Sequence, residues 1–309
     1  MSRAVLLVNL GTPAAPTEEA VRAYLAEFLS DPRVVALPRW LWRPILRGLV
    51  LRSRPRRSAE KYAAIWTPSG SPLAVHSERQ AGLLAEELGC RVEYAMRYGH
   101  PDIHSALKKL GVSATVLPLY PQYSDSATGS VLDAVGRDFP CVRDFHAHPA
   151  YIAALAANVR RHWAAHGRGE RMIFSFHGLP RRAAAPYEVQ CRHTAALLAE
   201  NLGMKDDFIV AFQSRFGWAP WLEPYTQPTL VALARRGVER MDVFCPGFVS
   251  DCLETLEEIG IVARAAFHAA GGREFHLLPC LNESREWIEA MARIVEDLKG
   301  GNPPQAPSR

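Results

Sequence analysis

Cysteine is sparse and unpatterned in this chain. The six cysteines, Cys90, Cys141, Cys191, Cys245, Cys252 and Cys280, are scattered and form no CxxC pair. In a reducing compartment this argues for free thiols, mostly buried, rather than disulfides or a structural zinc site. Long apolar runs are also missing: nothing approaches the roughly 18 residues of a membrane span. The opening MSRAVLLVNLGTP is too short an apolar stretch for a signal peptide and leads straight into a strand, which makes a cytoplasmic location the expectation. A strong bias of charge is absent as well. The net charge is +4, too mild for a general nucleic-acid binder, although Arg52, Arg54, Arg56 and Arg57 cluster.

What is present is ordinary soluble-protein material, 48% hydrophobic and 22% charged, in 309 residues, enough for two domains. Strand-like runs alternate with helical ones. Strands are expected at 5–10, 91–96 and 114–119, with a helix opening at Thr17 and others at 77–88 and 103–110. The second half repeats the order: strands from Ile173, at 208–212, 242–245 and 275–278, and helices at 188–202, 228–236, from Leu253, and at 284–298. Such alternation means βαβ units and a parallel sheet. The halves also echo each other at strand ends. Leu10-Gly11-Thr12-Pro13 answers His177-Gly178-Leu179-Pro180, and Arg97-Tyr98-Gly99 answers Arg215-Phe216-Gly217. The expected layout is α/β, with two similar domains at 1–149 and 150–281 and a cleft between them. A helix at 282–299 packs back on the body, and the tail at 300–309 is expected to be disordered.

The stretch MIFSFHGLPR at 172–181 carries the first candidate. An apolar run ends at His177, which puts an imidazole at the carboxyl end of a strand, where open α/β sheets bind ligands. Gly178 permits a sharp turn. A hydrogen-bonded turn histidine is the plain alternative. In CPGFVSDCLETLEE, Asp251, Glu254 and Glu258 are spaced by three and four residues and share a face if helical. Asp251 and Glu254 equally suit a capping box, and Glu257 reads as a solvated neighbour. A histidine and a carboxylate facing each other can bind a divalent metal or move protons, and the pair suits iron or zinc better than magnesium. Tyr120, Tyr123, Phe216, Trp218, Trp221, Tyr225 and Phe248 follow strand ends. Singly each suits a core, but together they suggest a cleft for a flat apolar ligand. Residues 36–51 place Arg39, Arg43 and Arg47 on one helical face beside Trp40, Trp42 and Leu49, broken by Pro38 and Pro44. That pattern fits a membrane-interface or cleft-lining segment, or an amphipathic segment packed on its own domain.

The motifs LVNLGTP, EFLSDPRVV, LPLYPQYS, SFHGLPRR, FQSRFGWAPWLEPYT and CPGFVSDCLETLEE resemble the ferrochelatase family, in the family's order, across residues 5–298. The resemblance implies two Rossmann-like domains (the class II chelatase fold) and a lyase that inserts ferrous iron into protoporphyrin IX at the end of haem biosynthesis. By the same resemblance His177 and Glu254 are catalytic residues and iron ligands, with Asp251 and Glu258 behind them in a proton relay. It places Leu10, Arg97, Tyr120, Tyr123, Trp221 and Phe248 against the porphyrin. It makes 36–51 the pocket lip, which contacts the membrane peripherally in some members. Ferrous iron is then a substrate and no cofactor is required. Relatives with an iron–sulfur cluster carry a cysteine where this chain has Asp125 and others in the tail, so no cluster is expected. Where some relatives add a third carboxylate beyond Glu258, this chain has Val262. The competing readings are a chelatase acting on coproporphyrin or inserting cobalt or nickel, and a non-catalytic porphyrin or haem carrier.

Overall fold

The computed structural model of the chain describes residues 4–111, 114–205, 207–217 and 219–299. Trp218 and the tail at 300–309 lie outside the described residues. The chain divides into two compact units. The first runs to Leu119 and includes Tyr123–Arg143; the second takes Tyr120–Gln122 and the chain from Asp144 on. The division falls at 143–144, where the sequence suggests 149–150.

The first unit is built on three parallel strands, β1 (Ala4–Gly11), β2 (Arg91–Tyr98) and β3 (Ala114–Pro118), in the order β2-β1-β3. Its helices are α1 (Glu18–Phe28), α2 (Arg39–Ile45), α3 (Leu51–Ile65), α4 (Pro72–Leu88), α5 (Ile103–Leu110) and α6 (Ser130–Val135). Val5, Leu6, Leu7 and Val8 are completely buried, the signature of a central parallel strand covered on both faces. Helix α1 starts as its sequence requires: the Thr17 hydroxyl accepts from the Ala20 amide at 3.3 Å, and Glu18 and Glu19 occupy the first turn. Helix α4 begins five residues before the expected start because Pro72 is at its first position, where a missing N–H costs nothing.

The second unit has four parallel strands, β4 (Arg171–His177), β5 (Phe208–Gln213), β6 (Arg240–Phe244) and β7 (Glu274–Leu277), in the order β5-β4-β6-β7. Helices α7 (Pro149–His166), α8 (Tyr187–Asn201), α9 (Thr226–Arg235), α10 (Arg264–Ala269) and α11 (Arg285–Lys299) surround it. Helix α11 packs on α7, with the fully buried Trp287 ring 5.8 Å from Phe145 and 6.1 Å from Tyr151. The internal echo is real at the level of topology. In each unit the first strand is central, flanked by the next two.

The echo is, however, shifted by two residues from the sequence reading. Gly11 lies opposite Tyr98 in the first unit, and His177 lies opposite Gln213 in the second. If Gly11 answers Gly178, Arg97-Tyr98 answers Gln213-Ser214 rather than Arg215-Phe216. The similar RYG and RFG strings mislead because they match in side-chain identity and not in register.

Between β6 and α10 lies the largest departure from expectation. Residues Glu254–Ala263 form a π-helix of ten residues. Ile259 and Ala263 bury into the cluster formed by Ile173, Met241, Val243 and Phe267. With wider turns, the π-helix changes which side chains share a face. Glu257, expected to be solvated, is 7% exposed and belongs to the buried side.

Candidate active site

His177 ends β4, and the geometry around it fixes its chemistry. Its Nδ1 lies 2.6 Å from the Gly178 carbonyl oxygen, and a carbonyl only accepts. Nδ1 is therefore the donor in this bond, and Nε2 is the ring nitrogen left free to meet a ligand. The backbone at this corner is held firmly. Gly178 N donates to Gln213 O at 2.8 Å, and Tyr187 donates its hydroxyl to His177 O at 2.9 Å. A Cβ on Gly178 would fall 2.7 Å from Gln213 O and 3.2 Å from the Trp221 ring, so the sharp turn needs glycine. Beyond it, Leu222 N donates to Leu179 O and Arg181 N to Pro220 O, which lays the Trp221 segment along the histidine loop. The Trp221 Nε1 is buried and has no hydrogen-bond partner among the described residues. Phe248 rises from the Cys245–Phe248 turn and brings its ring 6.5 Å from that of His177.

Gln213 joins the histidine to the acidic segment. The neighbouring strands lie roughly 4.8 Å apart, and Gln213 is the residue paired with His177. Its Nε2 donates to Glu254 O at 2.7 Å, while its Oε1 accepts from Ser175 at 2.6 Å. Ser175 in turn meets the Thr226 hydroxyl at 2.8 Å. This buried polar chain fixes Glu254, the first residue of the π-helix, at the same end of the sheet as His177. Glu258 sits one turn on, and both its oxygens are used: it accepts from Ser214 N and Ser214 Oγ, each at 2.6 Å. Ser214 holds φ at 63°, a left-handed conformation that a non-glycine residue adopts only where its surroundings insist.

Asp251 plays a different part from the one expected. It precedes the helix and makes no capping box with Glu254. Its carboxylate accepts from Asn282 Nδ2 at 2.7 Å, Thr255 Oγ1 at 3.0 Å and, at 3.4 Å, Cys280 N. Its own amide donates to Asn282 Oδ1. No hydrogen bond links it to His177 among the described residues. Asp251 thus clamps the start of the acidic segment to the loop before α11. The thiols of Cys245, Cys252 and Cys280 lie in this interior, where burial and the nearby carboxylates push them up and keep them protonated.

The remaining site candidates fall in both units. Trp221, Phe248 and the half-buried Tyr120 belong to the second. Leu10, half-buried, lies near the end of β1 in the first. Arg97 lies near the end of β2 there, and its guanidinium is engaged, donating to Asp31 at 2.8 Å and to Ser130 Oγ at 2.7 Å. Burial pushes Asp31 up, but hydrogen bonds from Ser130, Arg33 and Tyr98 and the charge of Arg97 outweigh it and hold the carboxyl below its usual range. Tyr123 donates to Asp125 at 2.8 Å under the Arg143 guanidinium. Sequence reasoning misses Gln213, Ser214, Ser175 and Asn282. The available signal is a glutamine closing the apolar run FIVAFQ, a polar group that burial forces into a network.

Solved structures share the fold. That of CbiX, the terminal enzyme for siroheme biosynthesis in denitrifying bacteria, superposes with a TM-score of 0.53 at 16% identity, covering 95% of this chain and 98% of that one. That of SirB from Bacillus subtilis with Fe3+ gives 0.54 at 13% identity over 96% of each chain. At such identities the likeness speaks for the fold, that of the class II chelatases. Sequence goes further. The ferrochelatase family model matches residues 2–298. The ferrochelatase of Azoarcus sp. strain BH72 is 56% identical over 317 residues, 96% of this chain and 87% of that protein. The ferrochelatase of Bordetella pertussis strain Tohama I is 52% identical, over 97% of this chain and 90% of its own length. The chain belongs to the ferrochelatase family, and is thus a metal chelatase of haem biosynthesis.

Proposed function

We propose that this chain inserts ferrous iron into protoporphyrin IX, with His177 and Glu254 as the residues that meet the metal and the pyrrole protons. The observation that carries this reading is the orientation of the His177 ring at the end of β4, where Nδ1 donates to the Gly178 carbonyl and Nε2 is left free, with Glu254 fixed at the same sheet end through Gln213. The reaction takes Fe2+ and a free-base macrocycle to haem and two protons. A flat macrocycle cannot accept a metal while two N–H groups occupy its plane, so the site must take protons as the metal enters. Nε2, the ring nitrogen not engaged by the Gly178 carbonyl, is the atom offered to one of them. Glu258, already holding two donors from Ser214, supports the site as an acceptor one turn behind Glu254 rather than as a freely moving carboxylate. Strain imposed on the ring by contacts remote from its centre would lower the barrier further.

The same reading needs no iron–sulfur cluster. Its support is Asp125, which stands where cluster-bearing relatives place cysteine and is occupied with Tyr123 and, at 3.6 Å, Arg33. Anaerobic spectra of the chain with protoporphyrin IX and Fe2+ test the reaction. Conversion to the haem spectrum is expected from wild type and not from Glu254→Gln. Conversion of coproporphyrin alone, or porphyrin binding without metallation, would overturn the assignment.

A peripheral membrane contact through the lip is part of the proposal. No helix among the described residues is long and apolar enough to cross a membrane. The lip is α2 followed by a π-turn at Leu46–Val50, and of residues 36–51 only Leu46 and Leu51 are buried. Trp40 is 78% exposed and Leu49 65%, and Arg39, Arg43 and Arg47 are exposed beside them. The packed-segment alternative holds for Trp42, whose Nε1 donates to Leu29 O at 2.6 Å, but not for Trp40 or Leu49. Each large apolar side chain gains roughly 1.5–3 kcal/mol on leaving water, so Trp40→Ala with Leu49→Ala is expected to cut co-sedimentation with anionic vesicles about tenfold or more. Equal partition of variant and wild type would remove the contact.

A further inference from the structure

At the opposite end of the second sheet lies a cluster that the reaction does not use. Asp242 in β6 is opposite Met172, and His177 is five residues further along β4, roughly 16 Å away at 3.3 Å per residue. Around Asp242 gather His162 from α7 and His276 from β7. One ligand atom from each of the three lies within 4.8 Å of the others. The His162 and His276 rings are 5.5 Å apart, and His166, one helical turn after His162, stacks on it at 4.5 Å.

The carboxylate is built into place. Asp242 is 1% exposed, and its Oδ2 accepts from Trp163 Nε1 at 2.7 Å and Gly169 N at 2.9 Å. A Cβ on Gly169 would fall 2.8 Å from Asp242 Oδ1, so the loop closes on the carboxylate only because glycine is there. Oδ1 is left facing His276 Nδ1 at 3.2 Å. His162 Nε2 is buried with no hydrogen-bond partner among the described residues, which is costly for a polar atom unless something else meets it.

We propose that His162, Asp242 and His276 bind a divalent transition-metal ion of the zinc type, a site separate from the one that handles iron. Two imidazoles and one carboxylate are a common donor set for such ions, at metal–ligand distances of about 2.0–2.2 Å. The cluster needs only a side-chain adjustment of about an ångström to close to that range. Water completes the coordination. A neighbouring cation, Arg240, is already paired with Glu274 at 2.8 Å and donates to His166 O, so its charge is compensated. Bound there, the ion ties α7 to β6 and β7 and stabilises the unit by binding only the folded state.

The test uses the full chain carrying His177→Ala and Glu254→Gln, so that the catalytic residues cannot hold the probe. After chelator treatment and equilibrium dialysis against Zn2+, one zinc per chain is expected, with a raised thermal midpoint. Co2+ in its place should give visible ligand-field bands. Adding His162→Gln or His276→Gln, each removing a direct ligand, should weaken zinc binding by at least the roughly 10–100-fold that loss of an outer-shell partner costs and shrink the thermal shift accordingly, with metal-free midpoints confirming that both variants fold. Unchanged zinc binding in these variants would place the metal elsewhere in the chain and overturn the proposal. So would no stoichiometric zinc in the parent.

Discussion

Replacing His177 with alanine is expected to slow ferrous iron insertion by about 10²–10⁴-fold, the range of a positioned general base, while porphyrin still binds. The reasoning is local. The only hydrogen bond of the ring among the described residues is to the Gly178 carbonyl, and its Nε2 is left with no partner. The corner itself is held by backbone bonds from Gly178 to Gln213 and by Tyr187, none of which the substitution removes. The thermal midpoint should therefore stay within a few degrees of wild type, which separates lost chemistry from lost fold. Added imidazole should restore part of the rate, because the cavity left by the ring can admit a free base. The readout is the anaerobic rate of haem formation at saturating porphyrin. A variant with the wild-type rate, or one whose loss tracks unfolding, would take the base away from His177.

Much of this site is legible in the amino-acid sequence, and what escapes has physical reasons. His177 and Glu254 stand out because one breaks an apolar strand and the other follows a strand-end loop, positions that local sequence marks. The strands are legible for the same reason, since runs such as MIFSF can only be buried. Helix α7 escapes because its stretch opens where the two domains are expected to part. The π-helix is invisible: ETLEEIGIVA reads as an ordinary amphipathic helix, and only packing of Ile259 and Ala263 selects the wider winding. Glu257 is misplaced on that account. Asp251 looks like a cap or a partner of the histidine, yet its bonds run to Cys280 and Asn282, about thirty residues later in the chain, a distance no local pattern reports. Gln213 and Ser214 hide for a related reason. Their importance comes from being opposite His177 across a strand pair, and the short strings suggesting the internal repeat put Arg215 there instead.

That shared register leads to a test of both units at once. Gly11 and Gly178 occupy equivalent corners, and each is pressed against the neighbouring strand. At Gly11 the conflict is severe: φ is +126°, and a Cβ would lie 1.9 Å from Tyr98 O and 2.9 Å from Tyr98 C. The obstacle is backbone, inside the pairing of β1 with β2, and cannot swing away as a side chain would. Roughly 1–3 kcal/mol of conformational strain and about 1–3 kcal/mol of overpacking add to a loss of about 2–6 kcal/mol for Gly11→Ala. At roughly 2–4 °C per kcal/mol the midpoint should fall by about ten degrees, or the protein should fail to accumulate in soluble form. Gly178→Ala meets a milder contact, 2.7 Å to Gln213 O, at a residue that also donates to that oxygen. Its expected signature is the reverse: a smaller thermal shift, but a rate of iron insertion reduced at least tenfold, because moving this corner moves the His177 ring and loosens Gln213 from Glu254. Thermal unfolding and haem formation measured on both variants separate the two effects. A Gly11→Ala protein as stable as wild type would show that β1 and β2 do not approach as closely as the register requires. A fully active Gly178→Ala protein would show that the histidine does not depend on its turn.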